Sequence, residues 1–240
     1  MDIYLLIFGV AFLSALLQTA TGFGSAIIMM ALFPLFIPAD CAVMLSLIFG
    51  GLMSAGLLLA YRSSLDLRLF LLPGLFAALG AVAGLFLGAM AAPAVYLRLL
   101  GILLFLLSIW FLFLSKRVRI PATPVTGSVV GIVSGVLGAM FSIAGPPLVL
   151  YYTAVTDDKG TYMSALQCCL LVLSVVAVSG RAAIGAWPGA LWSYLLPCAI
   201  GVACGSIPGW LIHKRIDAAR LKQIIYIFMC AAGIYIAVSA

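Results

Sequence analysis

The fold of this chain is decided by two short breaks in apolar sequence, TGFGS at residues 21–25 and SIAGPP at residues 142–147. Each break lies inside a long apolar run, and Gly22 precedes Ser142 by 120 positions. Hydrocarbon cannot form hydrogen bonds with an open backbone, so a break at membrane depth persists only where protein or a polar cavity covers it. Two such breaks in matching places indicate a transport site.

The composition is typical of a helical membrane protein. Hydrophobic residues make up 66% of the 240 positions, and charged residues only 8%. A membrane-spanning helix needs about 20 mostly apolar residues, and runs of that length follow one another from Ile3 to Ala240. No basic residue precedes Arg62, whereas a signal peptide carries a basic leader, so we expect the first run to be retained. The chain is predicted to be an all-α polytopic membrane protein with one integral membrane domain.

The apolar runs form two sets of four segments in the same order. The N-terminal set, residues 1–120, contains 3–37 (interrupted), 41–60, 67–88 and 95–114; the C-terminal set, residues 121–240, contains 125–155 (interrupted), 161–180, 188–212 and 221–239. The motif Leu71-Leu72-Pro73 recurs as Leu195-Leu196-Pro197 at an offset of 124. Internal repeats are a common plan of secondary transporters, so we predict two repeats, each with an interrupted segment and three transmembrane helices.

Basic loops predict how the segments cross the membrane. Such loops are expected to stay in the cytoplasm, and they contain Lys116, Arg117 and Arg119, then Lys214, Arg215, Arg220 and Lys222, and finally Arg62 and Arg68. Counting crossings from these loops makes 125–155 begin and end inside, and 3–37 begin and end outside. The two repeats are then inverted, with both termini outside. The alternative of eight plain spans in parallel repeats places the basic loop after 188–212 outside.

The arms of both interrupted segments are predicted to be short. Each arm has roughly 11–17 residues, or about 17–25 Å as a helix, against a hydrocarbon core of about 30 Å. Arms of that length favour broken or re-entrant helical hairpins whose tips approach the middle of the bilayer.

A half-helix that begins inside the bilayer favours an anion. Its first N–H groups have no helical partner, and the positive end of its dipole meets no bulk water. We interpret Gly145 as the start of one such half-helix and Gly24 as the start of the other, because glycine permits close approach and unusual backbone angles. The candidate substrate-binding residues at the breaks are Gln18, Thr21, Gly22, Gly24, Ser25, Ser142, Gly145, Pro146 and Pro147.

Each candidate also has a structural interpretation. Small residues on membrane helices often serve close packing only, which the spacing of Gly80, Gly84 and Gly88 favours for those three glycines. Gln167, in the middle of its segment, is either a cavity-lining substrate ligand or an interhelix hydrogen-bonding residue. Arg181, at the outer end of the same segment, is either a snorkelling anchor or an anion ligand.

Several kinds of chemistry find no support in the sequence. The six acidic residues all lie in predicted loops or at segment ends, so no intramembrane carboxylate is available as a proton relay. Phosphate-binding loop, HExxH and GxSxG motifs are absent, and the six cysteines form no CxxC pair. The net charge of +6 lies in short loops and is assigned to topology rather than to nucleic-acid binding. We therefore expect neither an enzyme nor a metal or cofactor site.

The motifs together resemble a known family. The stretch 18–24, the Gly135–Gly138 stretch, the break at 142–147 and the paired Leu-Leu-Pro helices resemble the sulfite exporter TauE/SafE family, also called the toluene sulfonate uptake permease family, over essentially the whole chain. The resemblance implies a bacterial inner-membrane permease that moves sulfite, sulfonates or related sulfur-containing organic anions, often outward. Family members usually carry further glycines where this chain has larger residues that narrow the tips, namely Ser25, Ala26, Phe141, Ser142 and Ala144.

The leading hypothesis is an anion exporter that works by alternating access. A small anionic substrate is expected to be held between the two hairpin tips of a protein embedded in the lipid bilayer, and a homo-oligomer is compatible with this arrangement. One alternative is a non-transporting membrane scaffold or assembly protein whose glycines serve packing only. Another is a passive anion channel, whose flux does not saturate with substrate concentration.

Overall fold

The computed structural model of this protein describes residues 2–114, 120–212 and 218–239, and the regular structure in these ranges is entirely helical. Ten α-helices follow one another in them: α1 (Ile3–Thr21), α2 (Ser25–Leu32), α3 (Ala39–Ala60), α4 (Leu67–Met90), α5 (Pro93–Ile109), α6 (Pro124–Phe141), α7 (Gly145–Val155), α8 (Lys159–Ala183), α9 (Leu191–Ile212) and α10 (Ala218–Ser239). Seven helices of this part are long and apolar enough to cross a membrane. The prediction of an all-α, multi-pass membrane protein is confirmed.

The basic residues that determine the predicted orientation lie mostly outside the described ranges. This is the case for Lys116, Arg117, Arg119, Lys214 and Arg215. The inverted orientation of the two repeats therefore stays a prediction.

Two contacts agree with part of the crossing count. The Ser164 hydroxyl, near the start of α8, donates a hydrogen bond to the carbonyl oxygen of Ser64, in the loop before α4, at 3.0 Å. A Cβ atom added at Gly127, near the start of α6, would lie 2.7 Å from the hydroxyl of Tyr151, near the end of α7. The segment that contains α6 and α7 thus begins and ends at the same end of the hairpin, which is the arrangement that the crossing count requires.

The two hairpins have unequal arms. α1 has 19 residues and α6 has 18, slightly more than the predicted range, because helical geometry continues to Thr21 and Phe141. At 1.5 Å per residue these first arms are about 27–28 Å long, close to the thickness of the hydrocarbon core. The second arms are much shorter, with 8 residues in α2 and 11 in α7. The prediction of two short arms is therefore wrong for the first arm of each hairpin.

Local sequence explains several helix boundaries. Proline occupies the first position of α5 and of α6, where its missing N–H has no helical partner to lose. The Asp158 carboxylate accepts a hydrogen bond from the Thr161 N–H at 2.7 Å and caps α8, and this bond lowers the pKa of the carboxyl. Pro73 and Pro197 lie inside α4 and α9, six residues after each helix begins. The repeated Leu-Leu-Pro motif therefore has the same place in both helices.

The chain divides into two compact units, and each takes segments from both predicted repeats. Unit 1 consists of Met1–Ser46, Ala91–Val118 and Pro188–Ala240, and unit 2 of Leu47–Met90 and Arg119–Trp187. In unit 1 the first hairpin arm, α1, packs along α9, and in unit 2 the corresponding arm, α6, packs along α4. Each hairpin therefore packs on a helix from the other half of the sequence.

Glycines permit the close approach of the helices in both pairs. In unit 2 a Cβ atom added at Gly84 would lie 2.6 Å from the carbonyl oxygen of Val136, and in unit 1 one added at Gly205 would meet the carbonyl oxygen of Phe12. Gly205 follows Gly84 by 121 positions, and Val136 follows Phe12 by 124. The packing role predicted for Gly84 and its neighbour Gly80 is confirmed, and the same contact recurs in the other unit.

Cysteine labelling tests the predicted orientation. We expect Ser63→Cys, in the loop before α4, and Gly189→Cys, in the loop before α9, to react with an impermeant maleimide from opposite sides of the membrane, because an odd number of predicted crossings separates them. Both positions are exposed. Cys204 is exposed as well, so the measurement needs a Cys204→Ser background. Labelling of both sites from one side would contradict the inverted arrangement.

Candidate functional site

The N-terminal tip, residues 21–25 at the junction of α1 and α2, has a backbone that requires glycine twice. Gly22 has a φ of 87°, and its N–H donates to the carbonyl oxygen of Gln18 at 2.7 Å, which closes the end of α1. Gly24 has a φ of 105°, and a Cβ atom added there would lie 2.9 Å from Leu17 Cδ2. Both angles belong to the left-handed region that residues with side chains disfavour. The glycines thus allow the chain to turn between the two helices.

The polar side chains of the N-terminal tip are bonded within the tip itself. Gln18 is 3% exposed and Ser25 is 2% exposed, and the Ser25 hydroxyl donates to Gln18 Oε1. The Thr21 hydroxyl lies 3.0 Å from the carbonyl oxygen of Leu17 and 2.8 Å from that of Phe23. The structure therefore brings the predicted residues of this break together. The N–H groups of the first turn of α2 also point toward the break, because they have no acceptor within their helix.

The C-terminal tip, residues 142–147 at the junction of α6 and α7, has a serine where the N-terminal tip has a glycine. Ser142 has a φ of 61°, and across the described ranges it is the only residue other than glycine with a positive φ. Its N–H donates to the carbonyl oxygen of Gly138 at 2.8 Å, and the Ile143 N–H donates to that of Leu137 at 3.4 Å. These bonds end α6 in the usual left-handed manner. Backbone strain of this kind clusters at functional sites.

The end of α6 that leads into the C-terminal tip lies against the second half of a long helix, α8. A Cβ atom added at Gly138 would lie 2.5 Å from Leu173 Cδ2 and 3.0 Å from Ala144 Cβ. Leu173 is near the middle of α8, which has 25 residues. Ser142 is 9% exposed and Ala144 is 3% exposed. The break is therefore covered by protein at the depth of a membrane-spanning helix, as an open backbone requires there.

α7 begins at the predicted residue, Gly145, but its first turn offers few backbone donors. Pro146 and Pro147 fill the next two positions, and proline has no N–H. In the first turn of α2, by contrast, every residue carries an N–H group. The two tips therefore differ in hydrogen-bonding chemistry although they occupy matching places in the sequence.

Arg181 reaches the C-terminal tip from the last turn of α8. Its Nη2 atom donates to the carbonyl oxygen of Ala139 at 2.8 Å and to that of Met140 at 3.3 Å. Both carbonyl groups belong to the last turn of α6, where they have no helical partner. The guanidinium is thus turned toward the hairpin, unlike a snorkelling anchor. Ala139 and Met140 were not predicted as site residues, because a backbone carbonyl leaves no residue-specific signal in a sequence.

Gln167 lies on α8, and its role as a site residue stays a prediction. It is completely buried on α8, two positions before Cys169, whose Sγ lies 3.0 Å from the Tyr152 hydroxyl. Gln167 precedes Leu173, which lies beside Gly138, by six positions, or about 9 Å of helix, and it precedes Arg181 by fourteen positions, or about 21 Å. Its cavity-lining and interhelix interpretations therefore both stay open. The other predicted residues of unit 2 lie at the C-terminal tip or bond to the end of α6 there, and they are Ser142, Gly145, Pro146, Pro147 and Arg181.

The side-chain groups described at the tips are hydroxyls, an amide and one guanidinium, which bind through hydrogen bonds and charge. In the ranges that the structure describes, no three His, Cys, Asp or Glu side chains come together as a group that could hold a metal ion. The six cysteines are free thiols.

Ser142→Gly tests the strained backbone of the C-terminal tip. A left-handed residue with a side chain costs roughly 1–2 kcal/mol, and the greater freedom of glycine in the unfolded chain offsets part of the gain. We expect the free energy of unfolding to rise by up to about 1 kcal/mol, and the matched reverse change, Gly22→Ser, to lower it by a similar amount. Thermal unfolding in detergent measures both. A less stable Ser142→Gly protein would contradict the left-handed geometry.

A model of one protein family matches most of the chain. It is described as Sulfite exporter TauE/SafE, and it matches residues 7–236, a range that contains both tips. No curated protein and no solved structure matches the chain.

Proposed function

Because this chain belongs to the sulfite exporter TauE/SafE family, we propose that it carries sulfite, a sulfonate or a related sulfur-containing organic anion outward across the bacterial inner membrane. The family and the seven apolar helices of the described part indicate a multi-pass membrane protein. The observation that carries the proposal is that a short helix begins at a broken backbone in each hairpin, α2 after the N-terminal tip and α7 after the C-terminal tip.

A helix that begins beside a substrate path favours an anion there. The start of a helix carries about half a positive charge, and its first N–H groups can bind an oxyanion directly. Transporters commonly use short helices of broken segments in this way. The proposed substrate-binding residues are Gln18, Thr21, Gly22, Gly24 and Ser25 at the N-terminal tip, and Ser142, Gly145, Pro146 and Pro147 at the C-terminal tip.

The membrane potential supplies a driving force for export by alternating access. An anion that leaves a cell with a negative interior gains about 2.3 kcal/mol per charge per 100 mV. The acidic residues in the described ranges lie in loops or within the first turn of a helix, and they are Asp2, Asp40, Asp66, Asp157 and Asp158. This distribution favours transport without a proton relay.

Flux measurements in proteoliposomes test the proposed function. We expect sulfite efflux that saturates with sulfite concentration and increases when the vesicle interior is made negative, relative to vesicles without protein. We also expect sulfite or a sulfonate, but not acetate, to raise the unfolding temperature of the purified protein, because a ligand stabilises the state that it binds. Neither flux nor stabilisation would favour the scaffold, and flux that does not saturate would favour the channel.

A further inference from the structure

Arg181 supplies hydrogen bonds that the end of α6 lacks at the C-terminal tip. The N–H groups of the two residues after α6 donate hydrogen bonds to two carbonyl groups of its last turns. Arg181 donates to two more, those of Ala139 and Met140. A helix end at membrane depth has no bulk water to satisfy such groups. The end of α6 therefore depends on a cation that another helix supplies.

The charge of Arg181 is not balanced by a carboxylate anywhere in the described ranges. Both of its hydrogen bonds use Nη2, and its Nε is buried with no acceptor. The carbonyl end of α6 offsets only part of the charge, since a helix end carries about half a negative charge. Arg181 is half-buried, and a cation that is partly removed from water is costly without a full counter-charge. An anion beside this guanidinium would therefore be stabilised.

In the N-terminal tip a neutral hydroxyl bonds to backbone carbonyl groups. The Thr21 hydroxyl lies 3.0 Å from the carbonyl oxygen of Leu17, one turn earlier in α1, and 2.8 Å from that of Phe23. The first turn of α2 also has N–H groups that α7 lacks, because Pro146 and Pro147 replace them. The positive potential of the C-terminal tip therefore depends on Arg181 more than on backbone N–H groups.

We propose that Arg181 is the charged group that recognises the substrate anion at the C-terminal tip, an inference that rests on the proposed function. Nη2 holds the end of α6, while the N–H groups on Nη1 bind an oxyanion that lies against the Ser142 hydroxyl and the Gly145 N–H. A guanidinium has donors on separate nitrogens in one fixed plane, so it can hold the helix end and an oxyanion at the same time, which the single nitrogen of an ammonium cannot do in that geometry. The preferred ligand is an anion with several oxygens on one sulfur atom.

Sulfite titration of purified protein and sulfite efflux from proteoliposomes test this role with three variants. Arg181→Gln removes the charge and keeps an N–H donor, Arg181→Lys keeps the charge without the planar fork, and Arg98→Gln removes an equal charge from an exposed position on α5. We expect Arg181→Gln to raise the Kd for sulfite and the KM of efflux by about tenfold or more. Arg181→Lys should raise both by a smaller factor, and Arg98→Gln should change neither.

A purely structural role predicts a different pattern. Both Arg181 variants would then lower the unfolding temperature and the maximal flux while Kd and KM stayed at the wild-type values, and this result would overturn the proposal. If Arg181→Gln does not fold, an unchanged Kd in Arg181→Lys would overturn it as well.

Titration of the wild type with methanesulfonate and phosphate separates this proposal from the proposed function. If the wild type binds one of these oxyanions but not sulfite, and Arg181→Gln loses that binding, then the role of Arg181 stands and sulfite is rejected as the substrate. If the wild type binds no oxyanion, both proposals are rejected.

Discussion

Gly145→Leu is expected to reduce sulfite efflux to the level of empty vesicles while the protein remains folded and inserted. Gly145 is the first residue of α7 and is not among the glycines with a positive φ, so leucine meets no left-handed strain there. Because Pro146 follows, helical backbone is less favourable for leucine than for glycine, and the unfolding temperature measures that cost. The residue is half-buried beside Ser142. The added side chain would occupy the space over the first turn of α7, where we expect the oxyanion to meet the Gly145 N–H.

Gly189→Leu is the matched control for this variant. Gly189 lies in the loop before α9, and a Cβ atom added there has nothing within 4 Å. The same enlargement should leave efflux unchanged at this position. Gel filtration and the unfolding temperature establish that Gly145→Leu is folded. Efflux at the wild-type rate in a folded Gly145→Leu protein would remove the C-terminal tip from the mechanism.

Gly84→Leu is expected to destabilise the protein by about 3 kcal/mol or more, which is the upper part of the range for overpacked sites. A Cβ atom at this position would lie 2.6 Å from the carbonyl oxygen and 2.9 Å from the Cα atom of Val136. Because both atoms belong to the backbone of α6, no side-chain rotation can relieve the overlap. α4 and α6 would have to separate, and the contacts of the close helix pair would be lost.

Gly56→Leu is the control for the packing prediction. Gly56 lies within α3, and a Cβ atom added there meets nothing within 4 Å. The unfolding temperature in detergent and the yield of monodisperse protein should fall for Gly84→Leu and stay near wild type for Gly56→Leu. Equal unfolding temperatures for the two variants would show that α4 and α6 do not approach as closely as described.

The positions of the helices could be predicted because their signals are local. Apolar length and the breaks placed the segment 161–180 within α8 (Lys159–Ala183) and 67–88 within α4 (Leu67–Met90). The turn at Gly22 was also readable, since glycine is the residue that left-handed backbone favours. At Ser142 the same backbone carries a side chain, and no local rule selects serine for that conformation.

The partners of the helices could not be predicted from local signals. Gly84 and Gly205 have the same small-residue spacing, which indicates close packing but does not identify the neighbouring helix. Likewise, the basic side chain of Arg181 was evident in the sequence, whereas its acceptors are backbone carbonyl groups about 40 positions earlier. The predicted site residues at each break do come together, because they are neighbours in the chain, whereas the role of Gln167 depends on contacts that spacing along α8 does not identify.

The interleaving of the two units determines the order in which the growing chain can assemble. All the segments of unit 2 have been synthesised once α8 has been made. The packing partner of α1 is α9, which is synthesised much later, since Leu191 follows Thr21 by 170 positions. A ribosome adds about 5–20 residues per second, so α1 spends roughly 10–30 s in the membrane before its partner exists. During that time lipid or the insertion machinery must cover the face of α1 that Gly201 and Gly205 later approach. The N-terminal hairpin is therefore synthesised first but is the later of the two to reach its final packing.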